Sequence, residues 1–272
     1  MPELPEVETI RRRLQCGHQN APPLQGRTIA ACRLPWPGIV QAPSPRSLQR
    51  RLRGQAVVDI GRRGKYLQID LDRACLILHL GMSGSVVIEP SSAAPSSHAR
   101  LVLQLRGGHR LSFRDPRKFG RAWLLDDPGD LLKRLGPEPL DPHLTAIGFR
   151  GQLAGRRAAI KPVLLDQKVI AGIGNIYADE SLHRAAIHPL TPADVLGGDR
   201  TGRLYRTIRQ VLREAIRHCG TSFDYVYGGG EFLSRLRVYR RTGQPCLRCR
   251  TKIERVVVAG RGTHFCPCCQ TT

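Results

Sequence analysis

Met1-Pro2-Glu3, at the head of the run MPELPEVETI, sets an amine beside a carboxylate. An initiator Met before a small residue such as Pro is ordinarily trimmed, which would leave Pro2 as a free secondary amine. An α-amino group titrates near ~8, against ~10.4 for lysine, so far more of it is unprotonated at neutral pH. Such an amine attacks an electrophilic carbon and forms an iminium without the desolvated pocket that a lysine requires. Glu3 supplies a carboxylate for proton transfer. Pro2 also has a structural alternative, because proline is favoured in the first turn of a helix.

A second constellation lies at the other end. Cys246-x2-Cys249 and Cys266-x2-Cys269 are separated by sixteen residues. Two CxxC knuckles at that distance present four thiolates to one tetrahedral Zn2+, and the span between them suits a β-hairpin. Four protein thiolates leave no open coordination position, so the zinc is structural. Such a metal stabilises a module too small to fold on its own core. Cys268 makes another pairing conceivable, but only Cys266 with Cys269 restores the CxxC spacing. Cys16, Cys32, Cys75 and Cys219 are scattered and read as buried small residues. Arg261, at the hairpin tip, is either a phosphate contact or a solvated turn residue.

The elements that must carry these groups differ along the chain. The 272 residues are enough for two modest domains, or one with an added module. Residues 3–15 read as a helix, with Val7, Ile10 and Leu14 at helical spacing, acidic residues early and arginines late. Short strand-like runs follow at 56–60, 65–71, 75–80, 85–89, 100–106, 109–114 and 121–125, mostly separated by Gly, Ser or Pro, as in an antiparallel sandwich or barrel. PSSAAPSSH at 90–98 is a loop. After about residue 130 the pattern turns helical: two short helices flank AGIGN within 161–182, and 203–218 is amphipathic.

Forty-three Lys and Arg stand against 22 Asp and Glu, a formal charge of +21. That balance favours a polyanionic partner through counterion release, and the excess is mostly arginine, which pairs with phosphate bidentately. An arginine-rich balance also arises from a GC-rich genome. No apolar run reaches the ~18 residues of a membrane span, and no signal-peptide pattern is present. Nine Cys without a secretion signal argue against a disulfide framework. A soluble, cytoplasmic protein is expected.

MPELPEVE, RRGKYL at 62–67, HLGMSG at 79–84, DPRKFG at 115–120, AIKPVLLDQKVIAGIGNIYADE at 159–180 and the terminal finger ending FCPCCQ together resemble formamidopyrimidine-DNA glycosylases. The resemblance runs nearly end to end. LPEVE favours this family over the related endonuclease VIII type, which usually has Gly where this chain has Leu4. It implies an α+β fold in three parts: an N-terminal helix with an antiparallel β-sandwich over 1–133, a helix-two-turns-helix domain over 134–236, and a zinc-finger module over 237–272.

The implied activity is a bifunctional DNA glycosylase and AP lyase acting on oxidised purines in double-stranded DNA, and on abasic sites. By that resemblance Pro2 attacks C1′ and holds the sugar as an iminium, Glu3 is the acid/base, and β- and δ-elimination cut the strand. Glu6 falls at the second carboxylate of the opening motif, though charge at a helix start explains it equally well. Lys65 matches a phosphate-contacting lysine that assists base release. Met82, Arg117 and Phe119 match the residues that fill the hole left by an everted nucleotide. Core packing is the alternative for Met82 and Phe119. Gly172 and Gly174 allow backbone N–H groups to approach a phosphate, with Asn175 and Lys161 as further contacts. Asn175 and Arg261 would grip phosphates flanking the lesion and help bend the duplex.

One departure stands out. The segment 222–238, SFDYVYGGGEFLSRLRV, is shorter than the family's usual loop over the everted base, and Gly228-Gly229-Gly230 suggests flexibility. The choice among 8-oxoguanine, formamidopyrimidines and other lesions is therefore open. Two rival readings are an endonuclease VIII-like enzyme for oxidised pyrimidines and a non-catalytic protein that binds damaged DNA. A monomer associated with the bacterial nucleoid through DNA is expected.

Overall fold

The computed structural model describes residues 1–221 and 230–271. Met1–Lys133 form one compact unit; a second runs from Arg134 to Thr221 and onward from Glu231.

The first unit opens with helix α1 (Leu4–Cys16) and continues through β1 (Ile29–Arg33), β2 (Val40–Ala42), α2 (Pro45–Leu52), β3 (Val57–Arg63), β4 (Tyr66–Leu71), β5 (Cys75–His79), β6 (Ser85–Pro90), β7 (Ala99–Leu105), β8 (His109–Arg114), β9 (Arg121–Leu125) and α3 (Gly129–Leu132). One sheet has the order β2-β9-β5-β4-β3 and the other β1-β7-β8-β6. Alternation explains β4, which buries Leu67, Ile69 and Leu71 and turns Gln68 and Asp70 outward. The two sheets and α1 share one core, in which Val7, Ile10 and Leu14 meet Leu67, Ile69, Leu76, Leu78, Leu101, Leu103, Leu111 and Phe113. The expected sandwich is present. It is antiparallel except for the short β2, which pairs parallel to β9.

Glu8 anchors α1 to this sandwich. Its carboxylate accepts from Arg11 and Arg12 on its own helix and from Arg62 Nε of β3 at 3.2 Å. Burial pushes the Glu8 carboxyl up, but the hydrogen bonds from Arg11 and Arg12 and the charges of Arg11 and Arg62 carry it below the usual 4.5, to about 2. A carboxyl depressed on folding stabilises the fold above pH 4.5, and that contribution is lost as pH falls through about 2. Acid unfolding followed by circular dichroism should therefore lose a component in that window in Glu8→Gln. An unchanged acid profile would refute this role.

The second unit contains α4 (Ala146–Leu153), α5 (Ile160–Leu165), α6 (Asn175–Arg184), α7 (Gly197–Arg217) and the hairpin β10 (Glu254–Val258)–β11 (Arg261–Phe265). The short helices flanking AGIGN are α5 and α6. Helix α7 starts six residues before the amphipathic pattern suggests and buries Thr201, Leu204, Ile208, Val211, Leu212 and Ala215. Of the four scattered cysteines only Cys75 is buried; Cys32 and Cys219 are half-buried and Cys16 is exposed. The expectation of burial fails at Cys16 because it ends α1, past the helix's last core residue, Leu14.

Candidate functional site

The N-terminal pair is held by the start of α1. Glu3 is the N-cap, Leu4 begins the helix, and Pro5 occupies the first turn. The structural role open to Pro2 is thus filled by Pro5, and Pro2 precedes the cap. Glu3 N–H donates to Glu6 Oε2 at 2.8 Å, while the Glu3 side chain accepts from the Glu6 N–H, closing a reciprocal capping box. Both carboxylates are buried, so Glu3 sits in a fixed orientation beside Pro2. Helix α1 packs on β3 and β4, and Lys65 lies buried in the turn joining those strands.

The void-filling candidates converge in the same unit. Arg117 Nη2 donates to Met82 Sδ at 3.2 Å, and its guanidinium lies 5.1 Å from the centre of the Phe119 ring. Phe119 is 48% exposed, which removes core packing as its explanation. Two residues with no role assigned from sequence hold these loops. Asp115, fully buried, accepts from Ser83 Oγ at 2.6 Å, from Arg117 N at 3.2 Å and from Gly120 N at 2.7 Å. It ties the turn carrying Met82 to the loop carrying Arg117 and Phe119. His79 accepts the Gly81 N–H on Nδ1 at 3.2 Å. Burial, then the charges of Lys65 and Arg121, push its pKa down to about 4, so it remains a neutral acceptor. Gly81 has φ +61°, and a Cβ there would meet the Phe119 carbonyl carbon at 2.6 Å. Only glycine permits this approach.

Asp115→Asn keeps the volume but removes one acceptor from a group serving three donors. A buried N–H left unpaired costs about 1–3 kcal/mol. Urea unfolding should show a loss of that order, and a variant as stable as the parent would show that the carboxylate is dispensable.

In the second unit, Gly172 adopts φ +87° and Gly174 caps α6. Asn175 Nδ2 donates to the Gly262 carbonyl at 2.9 Å, which places the turn against the hairpin residue next to Arg261. Arg261 is exposed at the start of β11. Lys161 differs from expectation. It is fully buried, 2.6 Å from Asp179 Oδ1, and donates to Thr263 Oγ1 at 2.8 Å and Gly262 O at 3.1 Å. An enclosed ammonium neutralised by a carboxylate cannot touch a phosphate, so Lys161 holds the hairpin that presents Arg261. Asp179 also accepts the His264 N–H at 2.9 Å, and Glu180 collects the N–H groups of Arg237, Val238 and Tyr239 at 2.9–3.0 Å. Burial pushes the Glu180 carboxyl up, opposed by those N–H groups.

Cys246, Cys249, Cys266 and Cys269 place all four Sγ atoms within 4.8 Å of one another. Tetrahedral zinc with bonds of 2.3 Å requires sulfurs about 3.8 Å apart; Cys246–Cys269 and Cys249–Cys266 are 4.0 and 3.4 Å. The donor set and geometry fit one structural zinc. Cys268 is exposed and outside the cluster. The sulfur of Cys246 accepts the Arg248 N–H at 3.4 Å and lies 3.5 Å from His183 Nε2. The remaining stretch of interest, 222–229 with Gly228 and Gly229, lies outside the described residues.

Three family models match in chain order: the formamidopyrimidine-DNA glycosylase N-terminal domain over residues 1–122, its H2TH domain over 135–225, and the zinc finger found in FPG and IleRS over 243–272. Fold and site thus define a zinc-containing DNA glycosylase. Proteins named formamidopyrimidine-DNA glycosylase from Herpetosiphon aurantiacus and a Roseiflexus species are 45% and 47% identical, each aligned over 99% of this chain and 100% of its own length. A Lactococcus lactis Fpg in complex with DNA containing an abasic site is 37% identical with a TM-score of 0.92, covering 99% of this chain and all of that one. The chain belongs to the formamidopyrimidine-DNA glycosylase family.

Proposed function

We infer that this chain is a base-excision-repair enzyme, a DNA glycosylase and AP lyase for oxidised purines, in which Pro2 is the nucleophile. The observation that carries the mechanism is the position of Pro2 ahead of a rigid capping box whose first member is Glu3. The freed amine attacks C1′ of the damaged nucleotide, the base departs, and the iminium holds the sugar for elimination. Glu3 moves protons to and from the opened sugar. Lys65 contacts a backbone phosphate and assists departure of the base. Met82, Arg117 and Phe119 occupy the space the everted nucleotide vacates, and Arg261 with the Gly174–Asn175 turn engages flanking phosphates. Zinc, bound by its four thiolates, holds the hairpin and supplies no chemistry to the reaction.

The DNA-bound relatives support the substrate: Lactococcus lactis Fpg has been solved with Fapy-dG and with abasic DNA. It has also been solved with oxidised-pyrimidine DNA, which supports some pyrimidine lesions as secondary substrates here. Among the described residues no helix is long and apolar enough to cross a membrane. The enzyme acts as a monomer on duplex DNA in the cytoplasm.

Borohydride reduction during reaction with an abasic duplex tests the nucleophile. The protein with Met1 removed should be trapped covalently through Pro2, located by peptide mass, and Pro2→Gly should still bind the duplex. Absence of any adduct, or an adduct on another residue, would overturn the assignment.

A further inference from the structure

We propose that His183 is a positioning residue of the zinc site, donating Nε2–H to the Cys246 thiolate and thereby governing how tightly the metal is kept. Its Nε2 lies 3.5 Å from Cys246 Sγ, and the side chain is 2% exposed. The other ring nitrogen, Nδ1, is buried with no hydrogen-bond partner. An unpaired buried nitrogen is a cost that a phenyl ring of similar shape avoids. Packing alone therefore does not account for a histidine here; the contact with sulfur does.

The chemistry of the site calls for such a donor. Four thiolates around one Zn2+ leave a doubly negative cluster, and Cys246 and Cys266, two of its sulfur ligands, are fully buried. Donors to the sulfurs disperse that charge and fix the ligand lone pairs. Backbone N–H groups serve Cys246 from Arg248 and Cys266 from Cys269, both at 3.4 Å; the Thr251 hydroxyl and N–H serve Cys249, and His183 is the side chain that faces Cys246. Arg184, Arg237 and Arg248 line a cavity with His183, so the environment outside the ring is also positive. His183 rides on α6, two turns beyond Asn175, so the helix that begins at the phosphate-binding turn ends against a zinc ligand.

The test uses the full-length holoprotein, in native zinc and cobalt-substituted forms. Loss of an outer-shell partner typically costs 10–100-fold in metal affinity. His183→Phe should therefore release zinc to a chromophoric chelator about tenfold faster than the parent, well below its melting temperature. It should also shift the thiolate-to-cobalt charge-transfer band to lower energy, because a sulfur without its donor is easier to oxidise. His183→Gln, which retains an N–H, should fall between the two. His183→Phe with the parental release rate and band position, whatever its melting temperature, would reduce His183 to packing and overturn the proposal. So would a His183→Gln that loses zinc as fast as His183→Phe.

Discussion

Glu3→Gln should lower strand cleavage at an abasic site by about 10²–10⁴-fold, the usual contribution of a positioned acid/base. The substitution isolates chemistry from architecture. In the capping box the Glu3 side chain acts as an acceptor for the Glu6 N–H, and a glutamine carbonyl accepts equally well. Its backbone N–H still donates to Glu6 Oε2. The start of α1, and with it the position of Pro2, is therefore expected to persist, while the ability to give and take a proton is lost. Single-turnover kinetics on a duplex abasic substrate, with melting temperature and duplex affinity measured in parallel, separates the two. Near-parental cleavage would show that Glu3 is only a cap. A fall in rate matched by an equal fall in stability would show the same.

The second large effect is loss of zinc. The apolar cluster at the cysteine module consists of Val238, Cys246, Ile253 and Cys266, with Cys249 and Cys269 against it. Four buried residues, two of them metal ligands, cannot offset the ordering of some thirty residues. Zinc-finger peptides gain about 10–16 kcal/mol from structural zinc, and most of the order here must come from that source. Cys249→Ala should purify without stoichiometric zinc and expose the terminal segment to proteolysis. DNA affinity should fall, with the salt dependence of binding shallower by about 1 in slope, the share of a single lost phosphate contact such as Arg261. Full zinc content in Cys249→Ala would refute the ligand set.

Much of this molecule was legible in its sequence, and the gaps share a physical origin. The strands of the sandwich are readable because alternation and apolar runs record burial locally, as in Leu67, Ile69 and Leu71. The zinc ligands are readable because two knuckles place their thiolates by spacing alone. Helix α2 leaves little trace in the sequence although Ser44 and Pro45 form its start, with Ser44 Oγ accepting the Ser47 N–H; its arginines mask the two buried leucines, Leu48 and Leu52. The early start of α7 follows from burial of Thr201 and Leu204 outweighing three glycines, Gly197, Gly198 and Gly202. Asp115, His79 and Glu180 were unassigned for a different reason. Each works by accepting N–H or O–H donors, from two residues away for His79, from 32 for the Ser83 bond to Asp115 and from 57–59 for Glu180, and no periodicity records that. The resemblance to the family assigns Lys161 a phosphate contact, and the sequence gives no sign that Asp179, eighteen positions on, internalises its charge.

Helix α6 has a consequence for transplantation. In its ten residues it carries Asn175, which binds Gly262, Asp179, which binds His264, Glu180, which binds the backbone of 237–239, and His183, which faces Cys246. All four partners lie in the C-terminal segment. Grafted onto another scaffold, residues 237–272 would keep their thiolates but leave the backbone of 237–239 without its carboxylate and Cys246 without its imidazole. The finger is therefore not a portable cassette; the smallest exchangeable piece includes α6, and recombination between relatives should succeed only where the two are inherited together.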